Sequence, residues 1–540
     1  MKKRITALLL CLVMVLSLAA CGGNNAASNN GQTGGNNSAA GDDSTQQTPP
    51  SGLSLTNVED TLTVGSTGEP TVLDPQNQND SPSGFNCMQM YETLIARNNE
   101  TMEYEPQLAE SWEYLDDTTI RFHLRDDVYF HDGSHFTAND VKYTFMRGKE
   151  CTLKAYSFEP FDCDASTVVD DYTFDLKTKE PFPAAFDYLV GNAMLIVGQN
   201  AVESAASIDE YGRNPTGGTG PWKFKEWIAG DRIVYERNED YYGEKPYFST
   251  LVIRNISDDT TRALSLEAGE IDISIKVAPT QVDTIENSET AYLVRFLNFV
   301  NNYLGFNCRK EPFNDVRVRK AMRYALDLDS MTEVAYAGAG MPSDSIFTKA
   351  LSAYEPAPEE LTYTQDIEKA KELLAEAGYP DGFECNLWVN ENQTRIDMAE
   401  MLQNAWGQIG IKVNVEVMEF GSYLEKIHNG EHDMFILGFT AGGNDSAFAR
   451  DLFYTEDGFV GNSQGYSNPE YDRLADLAYV EMDPEKRHEY EIEIQNLLRD
   501  ELPWIPLRCD EAIYGVRSTL TGMDKDAQSK PQFRDIRPLT

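Results

Sequence analysis

The C-terminal half of the chain alternates between helix-like and strand-like patterns of apolar residues. In chain order, it shows helical periods at 318–326, 367–377 and 398–409, a strand at 411–417, a short helix at 421–429 and a buried strand at 434–437. Thr394 is the expected N-cap of the third helix. The first half is richer in strands, at 120–124, 173–176 and 251–253. Helices that alternate with strands predict an α/β sheet domain.

Residues 1–20 have the pattern of an export signal. A basic start at 2–4 precedes an apolar run at 5–18, which is shorter than the about 20 residues that a membrane span needs. Leu18-Ala19-Ala20-Cys21 then resembles a bacterial lipobox, in which the cysteine takes up a diacylglycerol and becomes the first mature residue. We therefore expect a signal peptide at 1–20 and a lipid anchor on Cys21.

The segment that follows Cys21 is too polar to build a core. It consists mainly of Gly, Asn, Ser, Ala, Gln and Thr, and its low hydrophobicity cannot offset the entropy of ordering. We expect the lipidated cysteine and a disordered tether to cover 21–57, with a reach of roughly 30–35 Å. No later apolar stretch approaches the length of a membrane span.

Charge and cysteine spacing exclude several classes of protein. The chain has 88 acidic and 45 basic residues, a net charge of −43, which argues against binding of nucleic acid. The acidity favours solubility instead. Six cysteines remain in the body and none forms a CxxC motif, so no zinc ribbon is expected. Cys151 and Cys163 are the closest pair, and the sequence leaves open whether they form a disulfide or stay as buried thiols.

Two short patterns suggest catalysis or metal binding, but their surroundings do not fit. GNSQG at 461–465 matches GxSxG, yet both flanks are typical of loops, whereas a nucleophile elbow needs a strand before it and a helix after it. His131 and His135, like His428 and His432, are four residues apart, but turn signals interrupt both pairs. We expect no enzyme activity, no metal and no cofactor.

Four blocks of sequence resemble the family-5 extracellular solute-binding proteins that feed ABC importers, and they occur in family order. They are PQLAESW at 106–112 with FHLRDDVYFHDG at 122–133, GTGPW at 218–222 with RNEDYYG at 237–243, YLGFN at 303–307 with DVRVR at 315–319, and LPWIPL at 502–507. The resemblance implies an α/β fold of two lobes joined by a hinge, the periplasmic-binding-protein-like (Venus flytrap) fold. A small extra domain is inserted in lobe I.

The resemblance also implies the domain limits and the partners. Lobe I is expected at 58–90, 218–300 and 508–540, the inserted domain at 91–217 and lobe II at 301–507. The implied protein is a monomer that binds a peptide in the cleft and delivers it to the permease and ATPase subunits of an ABC importer. The lipid on Cys21 would hold it at the extracytoplasmic face of the cell membrane.

The same resemblance supplies the candidate ligand-binding residues. Relatives pair the peptide amino group with an Asp and the carboxylate with an Arg or Lys. The positions used by the dipeptide-binding branch hold Val389 and Gly442 here. A second branch carries its Asp three residues later, which places Asp445 there. The run TAGGND at 440–445 also supplies Thr440 and Asn444 as candidates.

Two further candidates each have an alternative role. Arg395 stands where the second branch often has an arginine, although it is also compatible with a solvated residue in the first turn of a helix. Phe420 matches a cleft aromatic residue that is Trp in relatives, or else it belongs to the core of lobe II.

The sequence leaves two other readings of the function open. One keeps the fold and replaces the peptide by a nickel chelate, an opine or an oligosaccharide. The other is a surface sensor or adhesin that does not transport.

Overall fold

The structure, a computed structural model, describes residues 60–98, 101–336, 338–440, 449, 450, 452–455, 461–523 and 531–539. Cys21 and the rest of the segment 1–57, together with Asn444 and Asp445, lie outside these residues. The described strands are β1 (Thr61–Ser66), β2 (Ile95–Arg97), β3 (Tyr104–Pro106), β4 (Ala109–Asp116), β5 (Thr119–Leu124), β6 (Thr167–Asp170), β7 (Thr173–Lys177), β8 (Trp222–Ile228), β9 (Arg232–Arg237), β10 (Thr250–Asn255), β11 (Ile273–Ser274), β12 (Ala291–Phe306), β13 (Met341–Pro342), β14 (Glu384–Asn390), β15 (Lys412–Met418), β16 (Met434–Thr440), β17 (Trp504–Arg517), β18 (Leu520–Thr521) and β19 (Arg537–Pro538). The described α-helices are α1 (Ser81–Met90), α2 (Ala138–Glu150), α3 (Ala155–Phe158), α4 (Ala185–Leu189), α5 (Gln199–Ser204), α6 (Ile208–Arg213), α7 (Asp259–Glu267), α8 (Pro279–Glu286), α9 (Val316–Tyr324), α10 (Leu328–Ala335), α11 (Ile367–Glu376), α12 (Gln393–Gly407), α13 (Phe420–His428), α14 (Pro469–Val480) and α15 (Pro484–Glu501).

Two long antiparallel strands, β12 and β17, run through the middle of an 11-stranded sheet. The strand order is β15-β14-β16-β12-β17-β11-β1-β10-β9-β8, and β13 pairs with β17 off this path. On one side of the central pair, β14 is parallel to β15 and β16; on the other side, β1 is parallel to β10 and β11. Helices connect the parallel strands, so the predicted two-lobed α/β fold is confirmed.

The central strand pair changes register where it passes from one lobe to the other. Residues 291–297 of β12 pair with 511–517 of β17, and 301–305 pair with 504–509, with irregularities after Leu297 and after Asn302. Tyr292 belongs to a buried cluster of the first lobe, whereas Leu304 belongs to one of the second lobe. The ladder is therefore weakest where the two cores end, and we call residues 298–302 and 508–511 the hinge.

A third core belongs to a small domain inserted in the first lobe. The 4-stranded antiparallel sheet β4-β5-β7-β6 and helix α2 surround a cluster whose buried residues all lie between 94 and 196. Ala201 and Tyr211 pack instead with the core of the first lobe. We therefore propose that the chain returns to the first lobe ahead of residue 217, and the other domain limits stay predictions.

Side-chain caps set the starts of the helices in the second lobe. Asp315 caps α9 and Asp366 caps α11, and Gly378, with φ +95°, follows the end of α11. The prediction that Thr394 caps the third helix is wrong. Asn392 is the cap of α12, since its Oδ1 accepts a hydrogen bond from the Arg395 backbone N–H at 3.1 Å.

The cysteines of the body are free thiols in the structure, including Cys151 and Cys163. The Cys151 Sγ donates to the Gln76 carbonyl at 2.8 Å, and Cys163 is buried in the inserted domain. The disulfide that the sequence left open is therefore not formed here.

Buried polar contacts join the inserted domain to the first lobe. Arg147 of α2 forms a salt bridge with Asp74, whose side chain is 0% exposed, and its Nη1 donates to Asp74 Oδ1 at 2.9 Å. His131 donates from its backbone N–H to the Gly218 carbonyl at 2.8 Å, and its Nε2 lies 3.0 Å from the Gly220 carbonyl, to which it donates. These contacts attach the inserted domain firmly to the first lobe.

The inserted domain also meets the second lobe through an aromatic contact. The rings of Phe182 and Tyr479 lie 5.5 Å apart at a tilt of 48°. Tyr479 belongs to α14 of the second lobe. The contact therefore bridges the two sides of the molecule outside the sheet.

Replacement of Arg147 by Met should destabilise the protein strongly, because it leaves the Asp74 carboxylate buried without a counter-charge. We expect the free energy of unfolding to fall by about 3–5 kcal/mol, measured by urea denaturation. Arg125→Met is the matched control. Its partner Asp127 is 53% exposed, so we expect a loss below about 1 kcal/mol. Equal losses in the two variants would contradict the role assigned to the buried pair.

Burial of His131 should make the stability of the folded protein depend on pH in the acid range. Burial lowers the pKa of His131 from 6.5 to about 4, so the unfolded chain takes up a proton that the folded protein excludes between these values. Stability should fall by up to about 3 kcal/mol as the pH drops through this window. His131→Gln should flatten that part of the stability curve, whereas His428→Gln, at an exposed position, should not. Parallel curves for wild type and His131→Gln would refute this prediction.

Candidate functional site

Three parallel strands of the second lobe end at one edge of the sheet, beside the hinge. β14 ends at Asn390, β15 at Met418 and β16 at Thr440. Their parallel pairing brings the carboxyl ends together, and open α/β sheets bind ligands at such an edge. Arg395 follows β14 and Phe420 follows β15. The topology therefore gathers three of the predicted ligand-binding residues at one place.

The Arg395 side chain is half-buried and reaches back over the strand ends. Its Nη1 donates to Asn390 Oδ1 at 2.7 Å. Its Nη2 lies beside Gly438 of β16, since a Cβ built there would stand only 3.1 Å from it and 3.0 Å from Asn302 Oδ1. Gly438 therefore leaves space for the guanidinium next to β12. This position differs from that of a first-turn residue which points into solvent.

Phe420 and Thr440 are accessible at the same edge. Phe420 is 48% exposed, which excludes the alternative that it is a core residue. Its ring stacks on Tyr423 with centroids 6.4 Å apart. Thr440 is exposed and pairs with Val300 of the hinge. The chain that follows Thr440 carries Asn444 and Asp445, which lie outside the described residues.

Charged side chains from both lobes converge at the hinge. Asp510 of β17 accepts a hydrogen bond from Asn302 Nδ2 at 2.7 Å and forms a salt bridge with Arg508 at 3.0 Å. Lys276, which follows β11, and Arg395 also act electrostatically on Asp510. We call Lys276, Asn302, Arg395, Arg508 and Asp510 the hinge cluster. It combines three cations with one carboxylate.

The electrostatics of the hinge cluster reflect its partial removal from water. Burial raises the pKa of Asp510, and the positive charges of Arg508, Lys276 and Arg395 act in the opposite direction. The Arg508 guanidinium also lies 3.7 Å from the ring centroid of Tyr336, which restricts its movement. The cluster therefore presents a surplus of positive charge at the point where the lobes meet.

Four members of the hinge cluster were not predicted from the sequence. Two consecutive polar residues, Asn301 and Asn302, interrupt the mainly apolar sequence of β12 and are a local signal for a functional position. Arg508 and Asp510, which interrupt an apolar run, give a similar signal on β17. The sequence around Lys276 gives no comparable indication of a functional position. Only the structure shows that it lies near the hinge.

The structure gives no support to the catalytic and metal-binding patterns. Ser463 is buried in a turn, and the next described helix, α14, begins only at Pro469, so the context of a nucleophile elbow is missing. His432 is buried as well, and burial lowers its pKa to about 3. Among the described residues, no group of three or more His, Cys, Asp or Glu side chains is placed to hold a metal ion. No helix in the described part of the chain has the length and apolar character to cross a bilayer.

Comparison with known proteins identifies relatives along most of the chain. A dipeptide-binding protein of Escherichia coli (strain K12) is 28% identical over 503 residues, which cover 84% of this chain and 92% of the relative. Heme-binding protein A of Haemophilus influenzae is 31% identical over 454 residues, which cover 78% of this chain and 81% of the relative.

Solved structures show the same fold. HbpA2 from Haemophilus parasuis superimposes with a TM-score of 0.82 at 24% identity, over 89% of this chain and all of the other. DppA from Helicobacter pylori, an ABC transporter-associated periplasmic binding protein solved with the peptide STSA, superimposes with a TM-score of 0.73 at 26% identity, over 88% and 98% of the two chains.

The family assignment rests on a match that covers most of the chain. Residues 103–460 match the family described as bacterial extracellular solute-binding proteins, family 5 middle. Family members are substrate-binding proteins and not enzymes, so the prediction of a non-catalytic protein is confirmed. The chain belongs to family 5 of the bacterial extracellular solute-binding proteins, the group that serves ABC importers.

Proposed function

We propose that this protein is a lipid-anchored extracytoplasmic receptor that captures peptides between its lobes and delivers them to the permease of an ABC importer. The observation that carries the proposal is the surplus of positive charge in the hinge cluster, within a chain of net charge −43. Cations at the meeting point of two lobes suit the carboxylate of a ligand that is enclosed there. The dipeptide-binding relative and the DppA complex with a peptide support this ligand class.

In this proposal, Arg395 binds the peptide carboxylate. Its guanidinium already lies at the strand edge, with one nitrogen held by Asn390 and another beside the opening that Gly438 leaves. Asp510 is a poor partner for the peptide ammonium, because Asn302 and Arg508 already occupy its carboxylate. The ammonium therefore needs another acid, and we assign that role to Asp445.

The remaining candidates would hold the middle of the peptide. The exposed ring of Phe420 offers an apolar surface for a ligand side chain. Thr440 and Asn444 would hydrogen bond to the peptide main chain. Asp445 lies five residues beyond Thr440, so chain length alone limits their separation to about 18 Å. Residues at this edge can therefore contact one short peptide together.

Binding would draw the lobes together around the hinge, as in other two-lobed receptors. The closed monomer would then dock on the permease, whose ATPase subunits are separate chains. The lipid on Cys21 and the tether at 21–57 would keep the receptor close to that permease. We favour transport over a sensor or adhesin because the chain belongs to a family that serves ABC importers.

Peptides with blocked ends can test whether Asp445 binds the amino terminus of the ligand and Arg395 its carboxyl terminus. Asp445→Asn should weaken binding of a peptide with a free amino terminus by roughly 30- to 4000-fold, because loss of one partner of a buried charge pair costs about 2–5 kcal/mol. The N-acetylated peptide should lose far less. Arg395→Gln should show the same pattern with a C-terminally amidated peptide. Isothermal titration calorimetry on all combinations measures the coupling.

The matched control for these variants is Arg473→Gln, which removes an exposed charge on α14 and should leave the affinity within twofold. Equal losses of affinity for the free and the blocked peptide would show that the replaced residue does not bind that end of the peptide. A wild-type protein that binds no peptide would contradict the proposed ligand class and favour the non-peptide ligands.

Replacement of Cys21 by Ser should release the mature protein from the membrane, because it removes the proposed acyl acceptor. The stability of the purified protein should not change, since the sequence around and after Cys21 is too polar to contribute to a core. Cell fractionation measures the release, and Cys11→Ser, within the predicted signal, is the matched control that should stay anchored. A mature Cys21→Ser protein that still needs detergent for extraction would contradict the lipid anchor.

A further inference from the structure

A cavity of about 710 Å³ opens within the second lobe and does not include the hinge. Its walls are the end of α9, the segment 341–365, the last turns of α15 and the first residues of β17. No member of the hinge cluster lines it. The volume lies within the range of small-molecule sites in proteins. The second lobe therefore contains a partly open cavity of ligand size.

Two buried hydrogen-bond donors in the cavity wall have no acceptor among the residues that the structure describes. They are Arg323 Nη1 and Trp504 Nε1. The Trp504 ring is packed between Tyr303 at 3.9 Å and Phe453 at 5.0 Å, so it cannot turn to find an acceptor elsewhere. A buried donor without an acceptor costs about 1–3 kcal/mol and is rare in native proteins. The pair points to an acceptor that comes from a ligand.

Two of the three carboxylates that line the cavity have direct partners other than Arg323. Asp344 accepts a hydrogen bond from the Tyr354 hydroxyl at 3.0 Å and forms a salt bridge with Arg499 at 3.5 Å. Asp327 caps α10 and accepts from Ser330 Oγ at 2.7 Å. Among the described residues, Arg323 forms no salt bridge. Its guanidinium lies over the ring of Tyr363 at 5.6 Å, so the charge has an aromatic contact but no paired carboxylate.

The pKa of Arg323 reflects the burial of its guanidinium. Burial lowers its pKa from 12.5 to about 10, in spite of the opposing effects of Tyr363, Asp329 and Asp344. The guanidinium still carries its charge at neutral pH. A buried cation that stays charged favours an anion in the adjoining space.

The remaining lining restricts the chemistry of that anion. Much of the wall is apolar, including Leu326, Pro342, Ile346 and Leu361. The charged side chains of the wall are three carboxylates and three cations, Arg323, Lys349 and Arg499, so their charges balance and leave no positive surplus for a doubly charged group such as a phosphate monoester. A single negative charge on an apolar body fits both conditions.

We propose that this cavity binds a small amphipathic carboxylate. Its oxygen atoms accept hydrogen bonds from Arg323 Nη1 and Trp504 Nε1, and its apolar body lies against the leucine, isoleucine and proline side chains of the wall. The site is independent of the peptide cleft and does not rest on the proposed transport function.

Decanoate, 1-decanol and acetate separate the contributions of charge and apolar body. The mature protein carries six tryptophans, so 5-fluorotryptophan labelling gives six ¹⁹F signals, and Trp504→Phe assigns one of them to Trp504. We expect decanoate to shift the Trp504 signal in a saturable way. Decanol and acetate should bind at least tenfold more weakly.

Arg323→Gln should lower the affinity for decanoate at least tenfold, whereas Arg473→Gln on the surface should leave it within twofold. Without decanoate, Arg323→Gln should be at least as stable in urea as the wild type, since it removes a charged group that has no paired carboxylate and a buried N–H without an acceptor. A merely structural arginine would instead destabilise the protein when replaced. The proposal is overturned if decanoate does not move the Trp504 signal, if decanol binds equally well, or if Arg323→Gln binds decanoate normally.

Discussion

The antiparallel ladder between β12 and β17 is the interaction on which the two-lobed arrangement depends. The strands are 16 and 14 residues long, and each contributes one half to the sheet of each lobe. The main-chain hydrogen bonds of the pair hold the lobes together, while the side chains of each half enter separate cores. Because the ladder is irregular only near the hinge, the same pair both joins the lobes and marks the place where one lobe gives way to the other.

The charged site is a consequence of this arrangement. Strands that pass from one core to another have no apolar core around them in between. At that place, the hinge, the chain carries Asn302, Arg508 and Asp510. The parallel strands β14, β15 and β16 end beside the hinge and bring Arg395 within electrostatic range of Asp510. A topological feature of the backbone therefore concentrates charges that lie far apart in the sequence.

The sequence predicts those parts of the fold that depend on local patterns. The alternation at 411–417 corresponds to β15, and the apolar run at 434–437 corresponds to β16. Both could be predicted because alternation indicates a strand that is buried on one face, and a continuous apolar run indicates a strand that is buried on both faces. The cap of α12 was misplaced because Asn392 and Thr394 are both suitable caps, and local propensity does not choose between them. Arg395 and Phe420 came from resemblance to the family, and their burial and exposure could be read only from the structure.

The cavity in the second lobe illustrates the opposite case. Arg323 lies on the polar face of an amphipathic helix, where a sequence pattern predicts a solvated side chain. The segment 341–365 folds over that face and turns the position into the wall of a cavity. This segment has little regular secondary structure, so its path could not be inferred from hydrophobic periodicity.

The attachment of the inserted domain has a mechanical consequence. The buried Arg147–Asp74 salt bridge and the His131 contacts join that domain to the first lobe, so it moves with the lobe and not by itself. In the closure proposed above, the molecule would then bend as two bodies about one axis instead of three bodies about two. A single angle would describe whether it is open or closed, and that angle would transmit the state of the cleft to the outer faces of both bodies.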